Sequence, residues 1–233
     1  MSVLIVVAHP DDEVLGCGGI ATALSFKGCT VRACILSGKV DAREHRPDLP
    51  DLREDILSAQ KVMGCGEPIL GDFPNIELNT VPHIQLVRFI EEIVVKTGAH
   101  TIFTHHPADL NNDHLCTSRA CQAAARLFQR RAGVPALKGL HFMGVLSATD
   151  WAFPSGDPGF RPDTFFELSE ALFERKLRAL EAYRGVMRES PHSRSEEVLR
   201  ALATYRGAQA GIRYAEAFQT AFRAVSVANP EGI

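Results

Sequence analysis

An α/β fold with a mostly parallel sheet is what this sequence predicts, and three observations carry the prediction. Residues 3–7 form a wholly apolar run, Val-Leu-Ile-Val-Val, which reads as a buried strand over 3–8. Short apolar runs recur at 31–36, 68–70 and 101–104. Between them lie longer stretches with helical spacing, and this alternation argues for parallel strands with helices on both faces and right-handed crossovers.

Taken in order, helices are predicted over 13–27, 51–63, 81–97 and 114–131. Gly28 and Gly64 follow the first two and suit helix C-caps. A last strand is predicted at 140–146. Residues 151–162, rich in Pro, Gly and Asp, read as a loop able to line a site. Two further helices are expected at 171–183 and 195–206, the second opened by Ser195, Glu196 and Glu197. No repeat, low-complexity tract or linker interrupts the chain. A single domain over 1–233 is therefore expected, with a core at 1–150 and a C-terminal segment at 151–233 that completes a pocket.

Composition narrows the function classes. Net charge is −3, so nothing favours nucleic acid or an anionic membrane surface. No stretch approaches the roughly 20 apolar residues of a spanning helix. The chain enters a strand at once, without a basic region or cleavage site, so no signal peptide is expected and the predicted compartment is cytoplasmic. The six cysteines form no CxxC pair and read as reduced core residues.

The chemistry concentrates in two clusters. Ala8-His9-Pro10-Asp11-Asp12-Glu13 follows the first strand, and Thr104-His105-His106-Pro107-Ala108-Asp109-Leu110-Asn111-Asn112-Asp113-His114 follows the fourth. Open α/β sheets place their chemistry outside the carboxyl ends of strands. Zinc accepts imidazole nitrogen and carboxylate oxygen together, and catalytic sites use three protein ligands plus a water. His9 and Asp12 are candidate ligands from the first cluster, and His114 is the choice from the second. Either cluster alone reads equally well as a surface histidine with a helix-capping aspartate, Asp11 or Asp12 for the first helix and Asp113 for the fourth. Two clusters, each at a strand-to-helix junction, favour a metal site.

The chain resembles the LmbE-like, or PIG-L, family of zinc-dependent deacetylases. His9-Pro10-Asp11-Asp12-Glu13 matches its first motif and residues 106–114 its second. Looser matches run through Gly18-Gly19, Leu52-Arg53-Glu54, Trp151, residues 160–165, Pro191-His192-Ser193-Arg194-Ser195 and Ala215-Glu216-Ala217-Phe218. The resemblance implies a Rossmann-like α/β fold, with His9, Asp12 and His114 on the metal and Asp11 as general base. Zinc lowers the pKa of bound water towards ~7, which suits a carboxylate base at neutral pH.

Relatives often carry histidine where Asn111 stands and use it against the oxyanion; others use a late histidine, sometimes from a neighbouring subunit, which His192 resembles. Asn111 and His192 are thus the candidate donors. Arg53 resembles a substrate-contacting arginine, Asp109 is read as a second substrate contact, and Asp113 and His106 are read as groups behind the ligands. His105 is assigned the same supporting place. Gly16, Gly18 and Gly19 lack the dinucleotide spacing and are expected to allow close helix–strand packing. In the loop at 73–79, Glu77 stands where relatives often have a basic residue, which predicts a different charge pattern if the loop touches substrate.

The expected activity is zinc-dependent removal of an acetyl or other small acyl group from an N-acetylated amino sugar or its conjugate. Other divalent metals fit the same ligands, and a homo-oligomer is expected. Two rivals are an amidase of the same mechanism acting on a non-sugar amide or formamide, and a metal- or nucleotide-binding module without catalysis.

Overall fold

The computed structural model describes residues 1–38, 49–153 and 159–225. Strand β1 (Ser2–Val7) is apolar along its length because both of its faces are covered. Val3, Ile5 and Val7 point into one core, while Leu4, Val6 and the following Ala8 point into the other. The first core lies beneath α1 (Asp12–Phe26), α2 (Leu49–Met63), α5 (Glu170–Glu181) and α6 (Glu196–Ala210). The second lies beneath α3 (His83–Thr97) and α4 (Asn112–Ala124). Each fully buried aliphatic side chain contributes about 1.5–3 kcal/mol.

The sheet has seven strands. β2 (Thr30–Ile35), β3 (Ile69–Leu70), β4 (Thr101–His105) and β5 (Gly139–Met143) run parallel with β1, and β6 (Thr164–Leu168) and β7 (Tyr214–Arg223) close one edge. The order is β3-β2-β1-β4-β5-β7-β6, with β7 antiparallel to both of its neighbours. From β1 the chain winds outward to β2 and β3, then crosses back to β4 on β1's other side. The β1/β4 boundary is therefore the point where winding reverses, and ligand crevices form there in open α/β sheets. Val6 stands level with Thr104 across this boundary, so the two strands exit side by side.

Several expectations change. The helix expected from 81 starts at His83, because Pro82 takes the N-cap position after a 3-10 turn at Leu78–Thr80. The helix expected over 114–131 runs from Asn112 to Ala124 and gives way to a 3-10 turn at Leu127–Gln129. β6 and β7 are additions to the predicted strands, and residues 154–158 of the predicted loop lie outside the described residues.

β7 carries a buried Glu216 as its third residue, on the same face as Tyr214 and Phe218, where a strand pattern calls for an apolar side chain. Glu216 accepts hydrogen bonds from the backbone N–H of Gly19 (2.9 Å) and Ile20 (2.7 Å) and from Lys176 Nζ (2.7 Å), which also donates to the Leu15 carbonyl (2.8 Å). Helix α1 kinks at Cys17, whose φ is −149°. Leu15 C=O and Gly19 N–H, which pair in an unbroken helix, thus each have a side-chain partner. Removing one member of so buried a pair costs about 3–5 kcal/mol. The glycines beside the kink allow the contact: a Cβ on Gly16 would lie 2.3 Å from Met143 Sδ, and one on Gly19 2.7 Å from a Leu168 methyl.

Candidate active site

The turn leaving β1 is tight. Asp11 adopts φ 95° and ψ −27°, a left-handed conformation uncommon for a non-glycine residue, and such strain clusters at functional sites. Asp11 N–H donates to Glu13 Oε2 (3.1 Å), and Gln60 Nε2 (3.0 Å) and the Tyr183 hydroxyl donate to Glu13 Oε1. Burial, reinforced by the charges of Asp11 and Asp12, pushes the Glu13 carboxyl up to about 8. Asp12 turns back, and its Oδ2 accepts the His9 N–H at 2.9 Å.

Three imidazoles surround that same Asp12 oxygen. His9 Nδ1 is 3.3 Å away, His114 Nε2 3.2 Å and His105 Nε2 3.5 Å. Behind the rings stand two more carboxylates. Asp113 Oδ2 lies 3.0 Å from His9 Nε2, and Asp109 Oδ2 lies 3.2 Å from His114 Nδ1, though off the hydrogen-bonding axis. A carboxylate on the far nitrogen fixes the orientation of a metal-binding histidine. His9 Nδ1 is buried without a hydrogen-bond partner, and ligand atoms of His9, Asp12 and His114 all lie within 4.8 Å of one another. Burial disfavours charge on both rings, yet Asp113 and Asp12 raise His9, and Asp12 and Asp109 push His114 up to about 10. The cluster therefore demands positive charge at its centre, from protons or from a cation. Its residues fit a metal ion.

A second trio, His105, Asp109 and His114, is equally close. It suits a metal less well, because His105 Nε2 already accepts the Ala8 N–H (2.9 Å) and Asp109 Oδ2 the Thr149 hydroxyl (2.6 Å). Burial and the neighbouring His114 charge push His105 down to about 3, so it stays neutral, stacked on His114 at 3.8 Å.

Asp12 and His114 open onto a cavity of about 250 Å³ whose other walls are Asn111, Ser147, Ala148, Arg188, His192 and Arg194. Arg194 crosses it, donating from NH1 to Asp11 Oδ2 (3.0 Å) and from Nε to Ser147 Oγ (2.9 Å). His192 Nδ1 accepts the Arg194 N–H (3.0 Å), so its neutral tautomer carries the proton on Nε2. Asn111 caps α4 by accepting the Asp113 N–H (2.9 Å), which leaves its amide NH2 as a donor.

Three assigned residues lie away from the cavity wall or from the ligand cluster. Asp109 does not line this cavity; its oxygens serve His114, Thr149 and the Asn111 N–H. Arg53 lies on the exposed side of α2 beside Leu57 and Lys61 and does not border this cavity, because Leu52, Asp55 and Ile56 form that helix's buried face. His106 does not back the ligands: it bonds Gln219 Oε1 (3.0 Å) and packs edge-on against Phe142 and Phe160. Asp113 does stand behind His9, and it is not the cap of α4; it also accepts the N–H groups of Ile76 (2.7 Å) and Leu78 (3.0 Å). Glu77 and its loop are thereby tied to the site. Gln60, Tyr183, Thr149 and Arg188 carried no sequence signal, since each lies alone among ordinary helix or loop residues.

A strand-exit His/Asp cluster on this fold defines a class, the α/β proteins able to hold a metal ion at the strand ends. Within it, residues 4–125 match the family model PIG-L, GlcNAc-PI de-N-acetylase. The chain belongs to the PIG-L family and is an enzyme of the deacetylase class. It is 27% identical to the uncharacterized deacetylase YaiS of Escherichia coli K12, over 78% of this chain and 90% of the relative. It is also 27% identical to diacetylchitobiose deacetylase of Thermococcus kodakarensis, over 92% of this chain and 80% of that one. GalB, the 4-carboxy-2-hydroxymuconate hydratase of Pseudomonas putida KT2440, shares the fold with a TM-score of 0.76, 19% identity and coverage of 97% and 98%. Among the described residues, no helix is long and apolar enough to cross a membrane.

Proposed function

We propose that this chain is a zinc-dependent N-deacetylase acting on an N-acetylated amino sugar or its conjugate, as one domain with its C-terminal segment completing the pocket. The observation that carries the reading is the convergence of His9, Asp12 and His114 beside Asp11, with Asp12 and His114 at the wall of one polar cavity. When bound, zinc supplies a Lewis acid and lowers the pKa of its water. His9, Asp12 and His114 would hold it, with Asp113 and Asp109 setting the two rings. Asp11, oriented by Arg194, takes a proton from the attacking water and delivers it to the departing amine nitrogen. His192 Nε2–H and the Asn111 amide donate to the oxygen on which negative charge develops.

The test is acetate release by the metal-loaded protein from N-acetylglucosamine and N,N′-diacetylchitobiose, beside simple N-acyl amines and a formamide. Release from a sugar, lost on chelation and restored by zinc, is expected. Unchanged release after chelation would overturn the metal role, and turnover confined to non-sugar amides would overturn the substrate class.

A further inference from the structure

The site cavity has an unbalanced charge. Among the described residues, the one carboxylate on its wall is Asp12, which three imidazoles surround, whereas Arg188 and Arg194 supply two guanidiniums. Arg194 is committed to Asp11 and Ser147. Arg184, four residues before Arg188 in sequence, is committed to Asp51 (2.7 Å), Glu54 (2.7 Å) and Asp55 (3.1 Å). Arg188 differs from both. Its backbone N–H is held by the Arg194 carbonyl (3.3 Å), which anchors it to the turn carrying His192, but its guanidinium has no hydrogen bond or ion pair among the described residues.

An unpaired arginine on a convex surface needs no explanation. One on the wall of a catalytic cavity, beside Arg194 and His192, presents a forked set of donors to whatever enters. Building on the deacetylase reading, we infer that Arg188 is a specificity residue that binds an anionic oxygen group of the substrate, a carboxylate or phosphate, away from the amide being cleaved. Arg188 then selects acidic amino-sugar derivatives over neutral ones. Because Arg194 is occupied by Asp11, the selection falls on Arg188 among the described residues of the wall.

The experiment measures kcat/KM for acetate release from N-acetylglucosamine, its 6-phosphate and N-acetylmuramic acid, with wild type, Arg188→Gln and Arg188→Lys. Wild type is expected to prefer at least one anionic substrate, and which one separates phosphate from carboxylate. Arg188→Gln should reduce the anionic-to-neutral ratio about 10- to 100-fold, mainly through KM, the range for losing a charge-assisted hydrogen bond. Arg188→Lys should fall between, keeping charge without the fork. No anionic preference in wild type, or an equal loss on neutral and anionic substrates in Arg188→Gln, would overturn the inference. If no substrate releases acetate, the deacetylase reading fails separately, and calorimetric binding of inorganic phosphate to metal-loaded wild type and Arg188→Gln still decides. Weaker binding by ~10-fold or more supports the anion site; equal binding overturns it.

Discussion

The exits of β1 and β4 each deliver a histidine to one point, but they hold it by different means. The β1 turn is short and strained: within five residues it places His9, Asp11 and Asp12, with Asp11 in the left-handed region and Glu13 bracing the backbone from below. The β4 exit is a longer loop whose carboxylates act on imidazoles. Asp109 stands behind its own loop's His114, and Asp113 reaches across to His9. The difference teaches a division of labour. On the proposed reading, the β1 turn would carry the base and two ligands, and the β4 exit one ligand and the carboxylates that orient both rings.

The largest expected effect breaks the β1 side. Asp11→Asn should retain metal while turnover falls ~10²–10⁴-fold, the usual contribution of general base catalysis. Wild-type turnover in that variant would remove Asp11 from the chemistry. On the β4 side, Asp113→Asn and Asp109→Asn should each weaken metal binding about 10- to 100-fold, the usual cost of losing the carboxylate behind a ligand. Metal titration checks this, and an unchanged affinity in either variant would show that its ring is oriented by something else.

His192 sharpens the comparison, because it belongs to neither exit. His192→Ala should lower turnover at least ~10-fold with metal content unchanged, less than the ~10²–10³-fold of a sole oxyanion donor because the metal shares that charge. Turnover within about a factor of two of wild type would leave the donation to Asn111 or a backbone amide.

His141 supplies the smallest and most general contrast. It lies within β5, stacked on Phe103 and bonded to Thr220 Oγ1 (3.0 Å). Burial, helped by the Arg223 charge, pushes it down to about 4, whereas carboxylates raise the two exit histidines. Between pH ~6.5 and 4 the unfolded chain protonates this histidine and the native chain does not, so stability falls as pH falls. His141→Gln should make that fall shallower in denaturant titrations across the window. An unchanged slope would mean that His141 titrates alike in both states.

Much of this was legible in the residues themselves. The five parallel strands could be read because strands covered on both faces are continuous apolar runs, and the His/Asp clusters because ligand types crowd within a few positions at strand exits. That the two exits meet was conditional in the sequence on their strands being neighbours, and the sheet order supplies that adjacency. What only the tertiary structure decided depends on contacts that no local pattern encodes. Glu216 makes β7 look unlike a strand until Lys176 and the kinked α1 are set against it. Asp109, Asp113 and His106 lie within eight residues and face three different partners, because His106 and Asp109 sit in the loop before α4 and Asp113 in that helix's first turn. Arg53 and Arg188 are indistinguishable as charges in a sequence. The burial of Leu52, Asp55 and Ile56 sends the first away from the site, and the turn pinned by the Arg194 carbonyl brings the second into it.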